Sequence, residues 1–531
     1  MPLSIDAATL KTMIGDGKKL ALLDVREEGE FGLGHLLFDN SMPYSVLEAE
    51  IDARVPRRGT RIVLVDGNDG VAMRAAARLT AVGYGDVRCL DGGVDAWAAA
   101  GYILFKGVNV PCKAFAEMVE HVCGTPSISA DELQAKFDAN EDLVVLDSRM
   151  GDEFNRMSIP HAINCPGAEL AYRVHDLAPS PETLVVVNCA GRSRSIIGAQ
   201  TLINAGIANP VVALRGGTQG WVLAGRELAH GATRRYGPVT RGGGAKAAEI
   251  AASVRRRFGV ERIGRATLES WRAESDRRTL HIFDVRDPAA YAAGHVAGSK
   301  SAPGGQLVQA IDRWTATRGA RIVLVDDTEI RATMTAHWLG QMGWNVYILE
   351  GGIDAGDTQR NIPKRRVLGL DDAGFETIEA AELNAALVRN EAVAVDVDLS
   401  MQYRKALLPG AVWSIRPRLG ETLRAIARGQ RVVLYSQHET RARLAARDAA
   451  ALHDGPVAVL RGGREAWMAA GFPVESSPGV PAESDCIDML FWVHDRHLGN
   501  HESMRAYLAW EEQLPTQIAA DGDANFQIPG G

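Results

Sequence analysis

The sequence predicts an α/β protein made of four tandem repeats, each a parallel sheet flanked by helices, followed by a helical C-terminal tail. Three observations predict it. Four short apolar strands end in a similar acidic turn: LALLDVR (20–26), LVVLDSR (143–149), LHIFDVR (280–286) and AVAVDVD (392–398). Their first aspartates, Asp24, Asp147, Asp284 and Asp396, are spaced 123, 137 and 112 residues apart. A second strand ends at Asp66, Cys189, Asp326 and Ser436, spaced 123, 137 and 110. A Gly-Gly pair closes each repeat at Gly92-Gly93, Gly216-Gly217, Gly351-Gly352 and Gly462-Gly463, spaced 124, 135 and 111. Three landmarks in step mark an internal repeat, and 531 residues exceed one hydrophobic core at roughly 100–200 residues per domain.

Within each repeat the elements follow one order. The strands are apolar runs without alternation, which predicts burial on both faces of a parallel sheet. After the second strand come stretches rich in Ala, Leu, Arg and Met at 71–83, 194–206, 331–343 and 441–455, the composition of helices. Each closes on a glycine (Gly83, Gly206, Gly343, Gly455), predicting a left-handed C-terminal cap. A further strand leads to the Gly-Gly turn, so strand, helix and strand form right-handed crossovers. Tryptophan stands four residues past the second glycine in three repeats (Trp97, Trp221, Trp467), and Gly356 stands there in the third.

The domain boundaries predicted from these landmarks are 1–105, 122–230, 260–360 and 373–478, with a tail at 479–531. Residues 106–127, 231–259 and 360–372 read as linkers, and GPVTRGGGAKAAE in the second is Gly-rich and predicted mobile. In the tail, Phe491, Trp492, Tyr507 and Trp510 recur at near-helical spacing, predicting a brace packed on the domains.

Composition narrows the function. Hydrophobic residues are 46% and charged residues 23%, ordinary for a globular protein. A net charge of -8 supplies no basic field for nucleic acid, and 6% aromatics leave few stacking platforms. No run of about 18 apolar residues predicts a membrane span, and the first residues do not follow a signal-peptide pattern; the expected compartment is the cytoplasm. The six cysteines (Cys89, Cys112, Cys123, Cys165, Cys189, Cys486) include no C-x-x-C pair, so neither a disulfide framework nor a metal site is expected.

One cysteine has chemistry around it. In Asn188-Cys189-Ala190-Gly191-Arg192-Ser193-Arg194-Ser195 the thiol ends a buried strand, and a short Gly- and Ser-containing loop leads into a helix. Such a loop can turn successive amides toward one anion, the helix N-terminus adds positive potential, and Arg192 and Arg194 add charge. Together these favour a thiolate nucleophile facing an anion pocket. The other three repeats carry Asp66, Asp326 and Ser436 where Cys189 stands, and the carboxylates are expected to repel an anion.

Asp-x-Arg, a cysteine loop and Gly-Gly-x-x-x-Trp together resemble the rhodanese superfamily. DVREEGEFGLGH, with Arg26, Glu30 and His35, and DVRDPAAYAAGH, with Arg286 and His295, carry its first signature. The resemblance covers nearly all of 1–475 as four tandem rhodanese-like domains. It implies sulfur transfer from a small anionic donor, thiosulfate or a related molecule, to cyanide or a thiol through a persulfide on Cys189. No cofactor is implied, and a sulfur-accepting protein is a compatible partner. Substrate binding falls to Ala190, Gly191, Arg192, Ser193, Arg194 and Ser195, with Arg173 as a further donor-binding candidate. Asp147 and Arg149 are expected to brace the strand end, with Glu153 as partner of Arg149. Two departures stand out: Met157-Ser158 replaces Gly-His in the second repeat, and Asp398 stands where arginine is expected in the fourth. Two rival readings are a rhodanese-fold phosphatase or arsenate reductase and a non-catalytic scaffold. The phosphatase loop places five residues between Cys and Arg, whereas four intervene here.

Overall fold

The computed structural model describes residues 3–355, 357–370 and 374–529; Gly356 lies outside them. Each repeat forms a five-stranded parallel sheet with the same strand order. In the second repeat the order across the sheet is Ser127–Ile128, Val211–Leu214, Leu184–Asn188, Leu143–Asp147 and Ile163–Asn164. Strand Leu184–Asn188 is therefore central, with Val185, Val186 and Val187 fully buried. Burial on both faces explains the unbroken apolar run.

The Gly-Gly turn has a steric cause. Gly217 adopts φ +55°, and a Cβ there would overlap the carbonyl oxygen of Cys189 and stand 2.8 Å from that of Gly191. Gly93, Gly352 and Gly463 meet the carbonyls of Asp66, Asp326 and Ser436 in the same way. The turn thus packs directly on the end of the second strand, which only glycine permits. The tryptophan after it is buried in three repeats, and its indole N–H donates to Ile103 O, Glu227 O and Pro473 O at 3.1, 2.9 and 2.8 Å.

The first-strand signature is an ion pair at the sheet's C-terminal edge. Arg26, Arg149 and Arg286 fold back on Asp24, Asp147 and Asp284, and each donates to a carbonyl eight residues on (Gly34, Met157, Gly294). In the fourth repeat Asp398 occupies the arginine position, and Arg464, just past the Gly-Gly turn, supplies the missing cation. It pairs with Asp396 at 3.2 Å and Asp398 at 3.0 Å and donates to Ala406 O at 2.8 Å. The charge has moved to another element while the bond pattern survives.

The chain divides into two compact units. One gathers the segments through Thr12, Ala21–Gly107 and Arg365–Phe491, and so joins the first and fourth repeats. Its joint is the buried Arg416, which donates to Glu48 at 2.6 and 2.8 Å, to Tyr44 O at 3.0 Å and to Asp448 at 2.8 Å. The other unit gathers Met13–Leu20, Val108–Lys364 and the chain from Trp492, joining the second and third repeats with most of the tail. There Ile330 and Met334 of the third repeat enter the core of the second.

Two expected linkers are helical. Val110–Cys123 buries its own Phe115 and Val119 in a core shared with Trp338. The stretch predicted mobile opens the helix Arg241–Phe258, whose cap Thr240 accepts from Gly243 N at 3.0 Å. Asp176 holds Thr240 in turn, and a Cβ on Gly243 would stand 2.5 Å from the Asp176 carboxylate. The glycine run marks a close approach, not mobility. Of the four predicted glycine caps, Gly83, Gly206 and Gly343 have positive φ, but Gly455 does not. It instead packs 2.6 Å (Cβ position) from Gln430 O, beyond a helix that ends at Leu452.

His337, 1% exposed, has neither ring nitrogen hydrogen-bonded and packs on Phe258 and Trp338. Burial holds its pKa down to about 3. The unfolded chain binds a proton below about pH 6.5 that the folded chain refuses until about pH 3, so stability is lost as pH falls through that window. We expect wild type to lose about 2 kcal/mol more than His337→Leu between pH 7 and pH 5, read from paired denaturation curves.

Candidate active site

The central strand of the second repeat delivers Cys189 to the sheet's C-terminal edge, where the chain turns into the helix Ser193–Ala205. Cys189 is 2% exposed. Its thiol donates to Ser195 Oγ at 3.5 Å, and Ser195 donates onward to Arg192 O at 2.7 Å. Thr218 N and Gln219 N, from the turn after Gly217, donate to the carbonyls of Cys189 and Ala190 at 2.9 and 3.1 Å. Gln219 Nε2 adds a second bond to Ala190 O at 2.9 Å. The loop carbonyls are thereby fixed to the Gly-Gly turn.

The loop amides are not. Among the described residues, the N–H groups of Ala190, Gly191, Arg192, Ser193 and Arg194 donate to no protein acceptor. The other three repeats treat the same loop differently. In the first, Asp66 accepts from Asn68 N and Ala72 N at 3.0 and 2.9 Å. In the third, Asp326 accepts from the amides of Asp327, Arg331 and Ala332 and pairs with the Arg331 guanidinium. In the fourth, Ser436 Oγ accepts from Ala442 N. The aspartates do not merely repel an anion: each fills its loop with a built-in one. Cysteine, lacking that carboxylate, leaves its cradle open.

The arginines divide. Arg194 carries a bidentate pair with Glu153, both bonds 2.8 Å, and its charge acts on Cys189 and Asp147. Arg194 and Arg149 hold Glu153 down to about 2 against the cost of burial, the largest single influence. The expected Glu153–Arg149 bond is therefore corrected: both oxygens of Glu153 bind Arg194, while Arg149 is engaged by Asp147 and Met157 O. Arg192 turns away from the thiol. Its guanidinium is held by Glu117, Glu120 and Glu512, so only its backbone amide belongs to the cradle. Arg173 is also elsewhere. It binds Glu169 at 2.8 Å and Gly237 O at 3.0 Å and stacks on Tyr172 and Tyr236. Asp147 lies fully buried beneath the loop, accepting from Asn188 Nδ2 at 2.8 Å.

Sequence reasoning missed the carboxylates that claim the arginines, because Glu117 and Glu512 are remote in the chain. Of the other thiols, Cys89, Cys112, Cys123, Cys165 and Cys486 are all pushed up by burial. No group of three or more His, Cys, Asp or Glu among the described residues could hold a metal ion. No helix among them is long and apolar enough to cross a membrane.

Removing the Arg194 guanidinium should weaken donor handling more than folding. For Arg194→Ala we expect a donor KM raised about tenfold, in line with a charge-assisted bond, and a thermal midpoint within a few degrees of wild type. Steady-state kinetics and a melting curve check both.

Comparison with known proteins agrees with this architecture. No curated protein sequence matches the chain. A crystal structure of thiosulfate sulfurtransferase from Pseudomonas aeruginosa is 44% identical, covers 99% of each chain and superposes with a TM-score of 0.93. A rhodanese-related protein from Thermoplasma volcanium is 19% identical over 19% of this chain and 98% of its own, with a TM-score of 0.18. The rhodanese-like domain family matches at residues 6–100, 129–224, 267–358 and 379–470, so the chain belongs to the rhodanese superfamily with four such domains in tandem.

Proposed function

We propose that the protein is a sulfurtransferase that moves sulfane sulfur from thiosulfate, or a related small anionic donor, to cyanide or a thiol through a persulfide on Cys189. One observation carries the reading: among the described residues, five consecutive amides beside a thiol have no protein acceptor, whereas Asp66 and Asp326 accept from amides of the equivalent loops themselves. The relative of known structure described as a thiosulfate sulfurtransferase supports the same chemistry.

The Cys189 thiolate attacks the outer sulfur of thiosulfate. The bond between the two thiosulfate sulfurs breaks, its electron pair leaves with sulfite, and a persulfide remains. Amides 190–194 and the Arg194 guanidinium stabilise the charge carried by the sulfite portion. The amides then hold the terminal persulfide sulfur until an acceptor attacks it and regenerates the thiolate, giving ping-pong kinetics. Arg192 and Ser195 serve the loop itself, one through its carbonyl and the other as the donor to that carbonyl. The first, third and fourth domains act as scaffold. The cytoplasm is the compartment in which such a thiol stays reduced.

Intact-mass analysis after exposure to thiosulfate tests the reading. A gain of one sulfur, removed by cyanide with thiocyanate released, is expected. Failure of the wild type to gain that mass from any of thiosulfate, glutathione persulfide or a protein persulfide overturns it. Turnover of an aryl phosphate dependent on Cys189 would instead establish the phosphatase alternative.

A further inference from the structure

The open amides must be held in one arrangement to bind an anion, and part of what holds them lies far along the chain. The helix His501–Asp521 packs against the loop. Its Glu511 is 1% exposed. Glu511 Oε1 accepts from Ser193 Oγ at 2.9 Å, from Lys113 Nζ at 3.0 Å and from the Tyr507 hydroxyl at 3.2 Å. Lys113 is buried too and also bonds the Tyr507 hydroxyl. Glu511 Oε2 is buried without a hydrogen-bond partner. It lies 3.2 Å from the point where a Cβ on Gly191 would stand, with Tyr507 Cε1 at 3.4 Å. The tail therefore touches the loop at Gly191 and at Ser193, and Glu512 of the same helix holds Arg192 between them.

We propose that Glu511 is a positioning residue for the anion cradle: acting through the Ser193 hydroxyl, it fixes the orientation of the loop amides that bind the sulfur donor. A carboxylate beside an anion site would by itself repel the donor. Lys113 at 3.0 Å cancels that charge, so the pair works as a neutral strut. Lys113 holds Glu511 below the usual carboxylate range in spite of burial, which itself pushes the pKa up. Ser193 is the first residue of its helix, so the bond to its side chain restrains a peptide on each side, those that carry the Ser193 and Arg194 amides. The nature of the anion rests on the sulfurtransferase reading. The mechanical role does not.

Thiosulfate affinity is measured by calorimetry in the unreactive Cys189→Ser protein, and kcat and KM are measured with Cys189 intact. Ser193→Ala leaves the Lys113–Glu511 pair in place and so spares the fold. We expect it to raise the thiosulfate Kd and KM about tenfold, the loss typical of a hydrogen bond to a charged group, with kcat changed less. Ser193→Thr, which keeps the hydroxyl, should restore both. Glu511→Gln should weaken binding alone but add little on top of Ser193→Ala, since both act through one bond. Unchanged affinity in Ser193→Ala overturns the proposal. So do additive effects in the double variant, or a lowered melting point with affinity intact. Should Glu511→Gln fail to fold, Gly191→Ala presses the same contact from the loop side and should weaken binding likewise; unchanged affinity there also counts against the role. If the wild type binds thiosulfate but acquires no persulfide, the functional reading fails and the strut remains testable by affinity alone.

Discussion

Cys189→Ser leaves a folded protein that acquires no persulfide, and its thiosulfate:cyanide transfer falls to the uncatalysed background. The substitution changes one buried atom, and serine can still donate to Ser195 Oγ as the thiol does. A small change in thermal midpoint is expected, since the volumes are close. The chemistry does not survive, because an alkoxide is not available near neutral pH as a thiolate is. Cys165→Ser in the same domain is the matched control. Burial pushes the Cys165 thiol well up, so its loss should cost no more than packing. Transfer persisting in Cys189→Ser, or vanishing in Cys165→Ser with the fold intact, would reassign the nucleophile.

Gly217→Ala should be nearly as damaging by another route. The added Cβ overlaps the Cys189 carbonyl oxygen at a position already at φ +55°. The left-handed backbone alone costs about 1 kcal/mol for alanine, and relieving the overlap must move either the turn or the loop. We expect domain 2 to lose about 3 kcal/mol and kcat/KM to fall at least about 100-fold, the effect of displacing a reacting group by an ångström. Gly463→Ala separates the two losses. It creates the same overlap with Ser436 in domain 4, so it should destabilise comparably while transfer at Cys189 stays near wild type. Equal activity losses in the two variants would show that the turn matters for folding only.

The repeat was legible because its landmarks are local. Asp-x-Arg closes on itself within three residues, and each Gly-Gly turn owes its glycine to a carbonyl that every domain places alike. Cys189 was legible for the same reason: strand end, loop and helix lie within one short stretch. What escaped was set by distant partners. Arg192 reads as an anion ligand until Glu117, 75 residues away, and Glu512, 320 residues away, engage it. Arg464 could not be matched with Asp398 before the fold brought the Gly-Gly turn to the first strand. The glycines at 242–244 look like a linker because Asp176, which packs on Gly243, is remote in sequence. Loop chemistry was visible; its charge balance was a tertiary property.

The interrupted unit has a consequence for biosynthesis. Domain 1 can pair its own strands early, yet its Arg78 meets Asp448 of domain 4 across 370 residues of chain. At roughly 5–20 residues per second, about 20–75 s of translation separate the two. During that interval Glu48, destined to lie buried against Arg416, stays hydrated on an unfinished surface, while the second domain, which carries Cys189, is made and leaves the ribosome tunnel first.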